Sequence, residues 1–274
     1  MHLFYCDETN LEEKSGDFLI YGGISIDCKK AKGLHNEIEK IRNDAGLEPN
    51  FQLKFKPQPE NLSHGEFSSL KQSVIQSAIQ HEVKLFVYLV LHDLAKSPDL
   101  ARRNGINTVC YGFHRLLEKV EDSGLVLIDR FKDRSNEIDS HLRTKFSVGL
   151  TDMPEGYNNK RLSNILGFHY PAIGQSHFPS IVDIVLGSLR FAVNAHTRSE
   201  DKNLKTAEIL LKHLALLFHK EGNDASISEI SLKFSPNNVQ KPVYRKKYDS
   251  LKEFLSKYGI NADRASRVSE LVGI

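Results

Sequence analysis

Val83 to Leu91 is an almost unbroken apolar run, interrupted only by Lys84, and it restricts the fold more than any other segment. A strand that is apolar at consecutive positions buries both faces, so it belongs near the centre of a sheet covered on both sides. Gly124 to Arg130 is a second run of this kind. Leu3 to Asp7 and Phe18 to Ile26 are two further strand signals, the second with Gly22-Gly23 inside it, joined by an acidic loop containing Glu12, Glu13 and Asp17.

Helical periodicity separates these strands. The spacing predicts helices from Lys29 or Lys30 to Ala45, Gly65 to His81, Leu100 to Val120, Phe178 to Asn194, Leu204 to His219 and Tyr248 to Tyr258. Phe51 to Lys56 reads as a short strand closed by Pro57 and Pro59, and Gly167 to Ile173 as a last strand. Lys132 to Asn159 is polar and rich in turn formers, which predicts a mobile loop. Strands alternating with helices define an α/β sheet, and the hairpin-like opening pair makes it mixed rather than wholly parallel. Residues 1–200 are expected to form one α/β domain, with 201–274 as a helical, basic extension packed on it.

No basic leader precedes an apolar stretch, and no segment approaches the roughly 18 uncharged residues of a membrane span, so the expected location is the cytosol without membrane contact. Cys6, Cys28 and Cys110 are odd in number and widely spaced, which argues against a disulfide framework and reads as buried thiols. The formal net charge is only +2, so an argument for a nucleic-acid partner has to be local. Between Lys233 and Lys252 six basic residues (Lys233, Lys241, Arg245, Lys246, Lys247, Lys252) stand against Asp249, with Phe234, Tyr244 and Tyr248 interleaved. That pattern could bind phosphates and stack bases, or be an ordinary solvated surface.

Three carboxylates interrupt or follow apolar sequence: Asp7 ends the first strand, Asp129 follows Leu125-Val126-Leu127-Ile128, and Asp183 is the only charged residue between Phe178 and Leu189. A charge in such surroundings must be paired, hydrogen-bonded or metal-bound. One divalent-metal site at a sheet edge would account for all three, because Mg²⁺ and Mn²⁺ favour hard oxygen ligands and serve phosphodiester cleavage. Glu8 is the fourth candidate, with the reservation that neighbouring strand residues point to opposite faces. Each acid also has a plainer reading: Asp183 pairs inside the core, Asp129 caps a turn, and Asp7 and Glu8 head a solvated loop. His169 and His177 are candidate proton shuttles; His114, His213 and His219 read as structural. The chain has no P-loop, G-x-S-x-G elbow, H-E-x-x-H pair or dinucleotide fingerprint.

Phe4-Tyr5-Cys6-Asp7-Glu8-Thr9, the Gly22-Gly23 strand, Val126-Leu127-Ile128-Asp129 and Ser180-Ile181-Val182-Asp183-Ile184-Val185-Leu186-Gly187 together resemble, over residues 3 to 195, the domain of unknown function 3800 family. That family begins Tyr-x-Asp-Glu-Ser-Gly and carries a Gln-x-Ala-Asp-x-x-x-Gly helix. The resemblance implies a ribonuclease H-like fold of bacterial and phage-borne proteins and a metal-dependent nuclease with Asp7, Asp129 and Asp183 as ligands. Where the family has Glu-x-Lys-Trp, this chain reads Gln52-Leu53-Lys54-Phe55, so an amide replaces a carboxylate unless Glu48, Glu60 or Glu8 supplies the charge.

The expectation is therefore a Mg²⁺- or Mn²⁺-dependent nuclease acting on RNA, slightly favoured, or DNA. Lys54 would contact the scissile phosphate, and Arg130, Lys241, Arg245, Lys246 and Lys247 would hold the nucleic acid. Two rivals stand beside it: a non-catalytic nucleic-acid or protein-binding module with a degraded metal site, and an effector activated by a protein partner in a defence complex.

Overall fold

The first strand forms because Leu3 to Cys6 alternate between two covered faces, and it ends where Asn10 adopts φ +64° and turns the chain back. In the computed structural model this strand, β1 (His2–Thr9), pairs antiparallel with β2 (Phe18–Asp27), setting Asp7 opposite Gly22 and Glu8 opposite Tyr21. The structure describes residues 1–12, 14–129, 137–147, 149–150, 161–171, 174–220 and 227–261. β3 (Lys84–Leu91) is antiparallel to β2, while β4 (Gly124–Ile128) runs parallel to β1 and β5 (Ile165–His169) parallel to β4. β6 (Leu232–Ser235) adds a parallel edge beside β3. The sheet order is β5-β4-β1-β2-β3-β6, and β2 alone runs against the others.

Helices cover both faces. α1 (Cys28–Asp44) starts where the Asp27 side chain accepts the Lys29 N–H, and α2 (His64–Gln80) where Ser63 and Glu66 form a reciprocal capping box. These two pack with α5 (Phe178–Thr197), α6 (Asp201–Leu214) and α7 (Pro242–Ser256) against Tyr5, Ile20, Ile24, Leu85, Val87 and Leu89. α3 (Pro98–Lys119) and α4 (Glu137–Ser147) cover the other face, over Phe4, Cys6, Tyr21, Phe86, Tyr88 and Val126. There the Phe4 ring stacks on Phe113 at 4.7 Å and meets Phe86 edge-on at 5.3 Å, contacts of about 0.5–1.5 kcal/mol each beyond the area they bury.

Several expectations need correction. β3 is buried on both faces as its sequence requires, but it lies next to the edge strand rather than at the centre of the sheet. Residues 51–56 form no strand: Leu53 and Phe55 are buried against helices, with no neighbouring strand to pair with. The polar stretch 132–159 contains α4, and its remaining residues from 148 on, apart from 149–150, lie outside the described residues, as do 132–136. The C-terminal part is not only helical, because it supplies β6. α5 has the length and composition of a membrane span, with a mean hydropathy of 1.3, but 67% of that window is buried inside the fold, as befits a core helix. Of the cysteines, Cys6 and Cys110 are buried and Cys28 is partly exposed; none forms a disulfide.

Candidate metal centre

The parallel register of β1 and β4 pairs Cys6 with Ile128, so the next residues, Asp7 and Asp129, stand side by side where β4 ends. The backbone continues this register with a 3.0 Å hydrogen bond from the Asp129 N–H to the Cys6 carbonyl. Both side chains share the face of Tyr5 and Leu127, which is the face that α5 crosses. Tyr5, Cys6, Asp7, Leu127, Asp129, Pro171, Pro179 and Val182 line a small cleft there, with a volume of about 10 Å³ open to the centre of a water molecule. Asp183 follows Val182 in the second turn of α5 and completes the set.

Glycines allow α5 to come this close. A Cβ on Gly22, the cross-strand partner of Asp7, would fall 2.7 Å from Leu186 Cδ2, and one on Gly187 would fall 2.5 Å from Phe55 Cβ and Cγ. Gly187 lies one turn beyond Asp183, so the two share a face of the helix. That face docks residues 52–56: Phe55 packs over Gly187, and its N–H donates to Asp183 Oδ2 at 2.6 Å.

The electrostatics of the cleft are unfavourable to its own charge. Burial pushes the Asp7 carboxyl up to about 8, and the negative charges of Glu8, Asp129 and Asp183 push in the same direction against one hydrogen bond from the Glu8 N–H. Asp7 therefore favours its protonated form at neutral pH. The three aspartates are near enough to repel one another, yet among the described residues they are not gathered as a ready-made ligand cage. Their donors are all carboxylate oxygens, which fits a hard cation such as Mg²⁺ or Mn²⁺ better than a softer metal.

The other sequence candidates are dispersed. Glu8 sits on the opposite face, paired with Arg102 of α3 at 3.1 Å, where burial raises its carboxyl and Arg102 pulls it back; that pairing takes it away from the Asp7 face. Lys54 is half-buried beside Phe55, within the segment that Asp183 anchors, and Gln52 is exposed near Gly174. His177 contacts Glu39 at 2.5 Å and its ring lies 4.9 Å from that of His35, tilted by 33°, so its imidazole is engaged by α1. His169 is exposed at the end of β5, opposite Leu127 of the cleft wall. Among the histidines read as structural, His114 is buried and within 3.3 Å of Glu118, and His213 contacts the Ile209 carbonyl.

Two of the three rings in the C-terminal basic run are buried, while Tyr244 is half-buried with Lys241 Nζ 5.8 Å from its centroid. Phe234 and Tyr248 are core residues, and the Tyr248 hydroxyl donates to the Ser235 carbonyl at 2.6 Å while accepting the Leu91 N–H at 2.9 Å. Arg245 donates to the Val239 carbonyl, and Lys241 and Lys246 are exposed. Lys247 lies beside Gly16, and α7 meets α5 at His196, 13 residues or roughly 20 Å along the helix from Asp183. Arg130 lies outside the described residues.

Sequence reasoning missed two cations at the Phe55 ring. Lys71 of α2 lies 4.3 Å from the centroid of the Phe55 ring and 4.4 Å from that of Phe67, and Arg190 of α5 lies 5.8 Å from Phe55. The only linear signal was the i, i+4, i+7 spacing of Asp183, Gly187 and Arg190.

The fold and the cleft define an α/β protein with a mixed, helix-covered six-stranded sheet and two acids, Asp7 and Asp129, side by side at one strand end, where Asp7 also feels the charge of Asp183. No protein-family model matches the chain, and neither curated proteins nor solved structures give a significant match.

Proposed function

We propose that this protein is a divalent-metal-dependent nuclease of ribonuclease H-like architecture, hydrolysing phosphodiester bonds with Asp7, Asp129 and Asp183 as the metal-holding residues. One observation carries this reading: Asp7 and Asp129 stand side by side in one cleft where β4 ends, and burial together with the charges of Glu8, Asp129 and Asp183 pushes the Asp7 carboxyl up to about 8. Structural carboxylates in a core are usually matched by arginine, as Glu8 is by Arg102. Asp7 instead feels the negative charges of Glu8, Asp129 and Asp183, which favours a bound dication over an empty cleft. The architecture is supported in its class by the mixed sheet, with β1 and β4 adjacent and their acid-bearing ends together.

A Mg²⁺ or Mn²⁺ ion bound here would lower the pKa of a water and offset charge on the phosphate oxygens. The protein's own residues supply the rest. Asp7 would hold the ion as a carboxylate, giving its proton to solvent, and the strand ends of β1 and β4 fix the spacing of two of the acids. Asp183 is oriented by the Phe55 N–H, which donates to one of its two oxygens. Lys54, in the same anchored segment, is placed to meet a phosphate from the α5 side. Gln52 does not restore the missing carboxylate, so the reading rests on three acids rather than four.

Calorimetric titration of the wild type and Asp183→Asn with Mn²⁺ and Mg²⁺, together with cleavage assays on labelled RNA and DNA, tests the proposal. Metal binding and cleavage lost together in the variant support it; absence of binding at millimolar Mn²⁺ overturns it.

A further inference from the structure

Around the buried ring of Phe55 the fold gathers several cations, with one carboxylate, Asp183, engaged by the Phe55 N–H. Lys54 and Lys56 flank Phe55 in the chain, Lys71 reaches it from α2, and Arg190 reaches it from α5. Among the described residues none of the four forms an ion pair. Elsewhere lysines do find acids, as Lys30 does with Glu82 and Lys212 with Glu208.

Lys71 is the telling member. Its ammonium is half-buried between two phenylalanine faces, and burial, with the nearby charge of Lys56, lowers its pKa. A cation–π contact returns only about 0.5–2 kcal/mol of what desolvation costs. A half-buried cation beside another cation, with no carboxylate in contact, is poised for an anion from outside. The two ring contacts also hold the side chain in place, so less entropy is lost when an anion binds.

Position ties the patch to the cleft. Arg190 is seven residues beyond Asp183 on the same face of α5, roughly 10 Å along the axis, or about three nucleotides of a strand at ~3.4 Å each. We propose that Lys56, Lys71 and Arg190 seat the sugar-phosphate backbone of a nucleic-acid strand that runs from this patch into the carboxylate cleft. The inference rests on the nuclease reading for the direction of the strand, but the patch and the metal site are separable by experiment. It also moves the nucleic-acid surface from the α7 lysines to the junction of α2, α5 and residues 54–56.

The test is fluorescence anisotropy in EDTA with labelled poly-uridylate and a labelled DNA duplex over a range of salt. The proteins are the wild type, the triple variant Lys56→Gln/Lys71→Met/Arg190→Gln, and a control Lys241→Gln/Lys246→Gln/Lys247→Gln. Methionine keeps the apolar stem of Lys71 between the two rings. For single strands each lost phosphate contact lowers the salt slope by about 0.7, so the triple variant should lose about 2 in slope and about a hundredfold in affinity at ~0.1 M salt. The control should stay within about twofold of wild type. Lys56→Gln alone, at an exposed position, should lose about fivefold and gives the answer if the triple variant does not fold. An unchanged slope in the folded patch variants overturns the proposal, as does a wild type that binds neither nucleic acid at low salt. Binding of poly-glutamate in place of both, with the same patch dependence, would overturn it in favour of an acidic polypeptide. Mn²⁺ calorimetry on the same samples reports the cleft independently: patch-dependent nucleic-acid binding without metal binding would keep this inference and remove the nuclease.

Discussion

The Asp183 carboxylate accepts the backbone N–H of Phe55 at 2.6 Å, across 128 residues of chain. The bond splits the role of Asp183 into an acceptor, which the fold needs, and a charge, which the proposed chemistry needs. Asp183→Asn retains an amide oxygen for the Phe55 N–H and should stay within about 1 kcal/mol of wild-type stability while losing metal affinity. Asp183→Ala should lose metal affinity and also about 1–3 kcal/mol, because the N–H is left without its acceptor. Urea denaturation alongside Mn²⁺ calorimetry separates the two variants.

Asp7 makes metal-free stability depend on pH in a definite direction. Its carboxyl has an ordinary value of 3.8 and sits at about 8 in the fold, so between those values the folded state holds a proton that the unfolded chain has released. Stability contributed at this position is therefore full below about pH 4 and declines as pH rises toward 8. Asp7→Asn should flatten the slope of wild-type stability between pH 5 and 8 in EDTA, and be the more stable protein at the upper end. Mn²⁺ binding at pH 7 should release close to one proton, read from calorimetry in two buffers of different ionisation enthalpy.

Glu8 and Arg102 form a pair with little exposure on the face away from the cleft. Glu8→Gln should destabilise the protein, toward the low end of the roughly 3–5 kcal/mol seen when one partner of a buried pair is removed, because Asp99 also contacts Arg102. Its Mn²⁺ affinity should remain within a few-fold of wild type. A large loss of affinity at unchanged stability would return Glu8 to the ligand set.

Gly187→Ala places a methyl where Phe55 already sits, 2.5 Å from two of its carbons. Displacement of residues 52–56 should cost about 1–3 kcal/mol and weaken metal binding through Asp183, although Gly187 touches no ligand. Thermal denaturation and Mn²⁺ titration of this variant test whether the packed segment positions the acid.

What was legible in the sequence followed from burial. Consecutive apolar residues located β3 and β4, and charges inside apolar runs located Asp7, Asp129 and Asp183, because both patterns are contiguous in the chain. Residues 51–56 read as a short strand closed by prolines, but a short extended run does not say whether its partner is a strand or a helix, and here it packs on α5. β6 was hidden because Leu232-Lys233-Phe234-Ser235 is short and carries a lysine, so it merged into the basic run. The cations around Phe55 were unreadable for a different reason: they come from three separated stretches and meet only in the folded protein.

β6 gives the C-terminal part a role that a division at residue 200 would conceal. Leu232 to Ser235 cover the outer edge of β3, where the Val87 N–H donates to the Ser231 carbonyl at 2.8 Å and the Leu85 N–H to the Leu217 carbonyl at 2.9 Å. A chain ending at 200 would leave the most apolar strand of the sheet with a bare row of donors and acceptors, a template for pairing with another copy of itself. During synthesis that edge waits for the last part of the chain to arrive. The interval in which β3 is open to pairing with another copy therefore runs from the emergence of β3 to the docking of β6, and Asp129 and Asp183 of the cleft region are made within it.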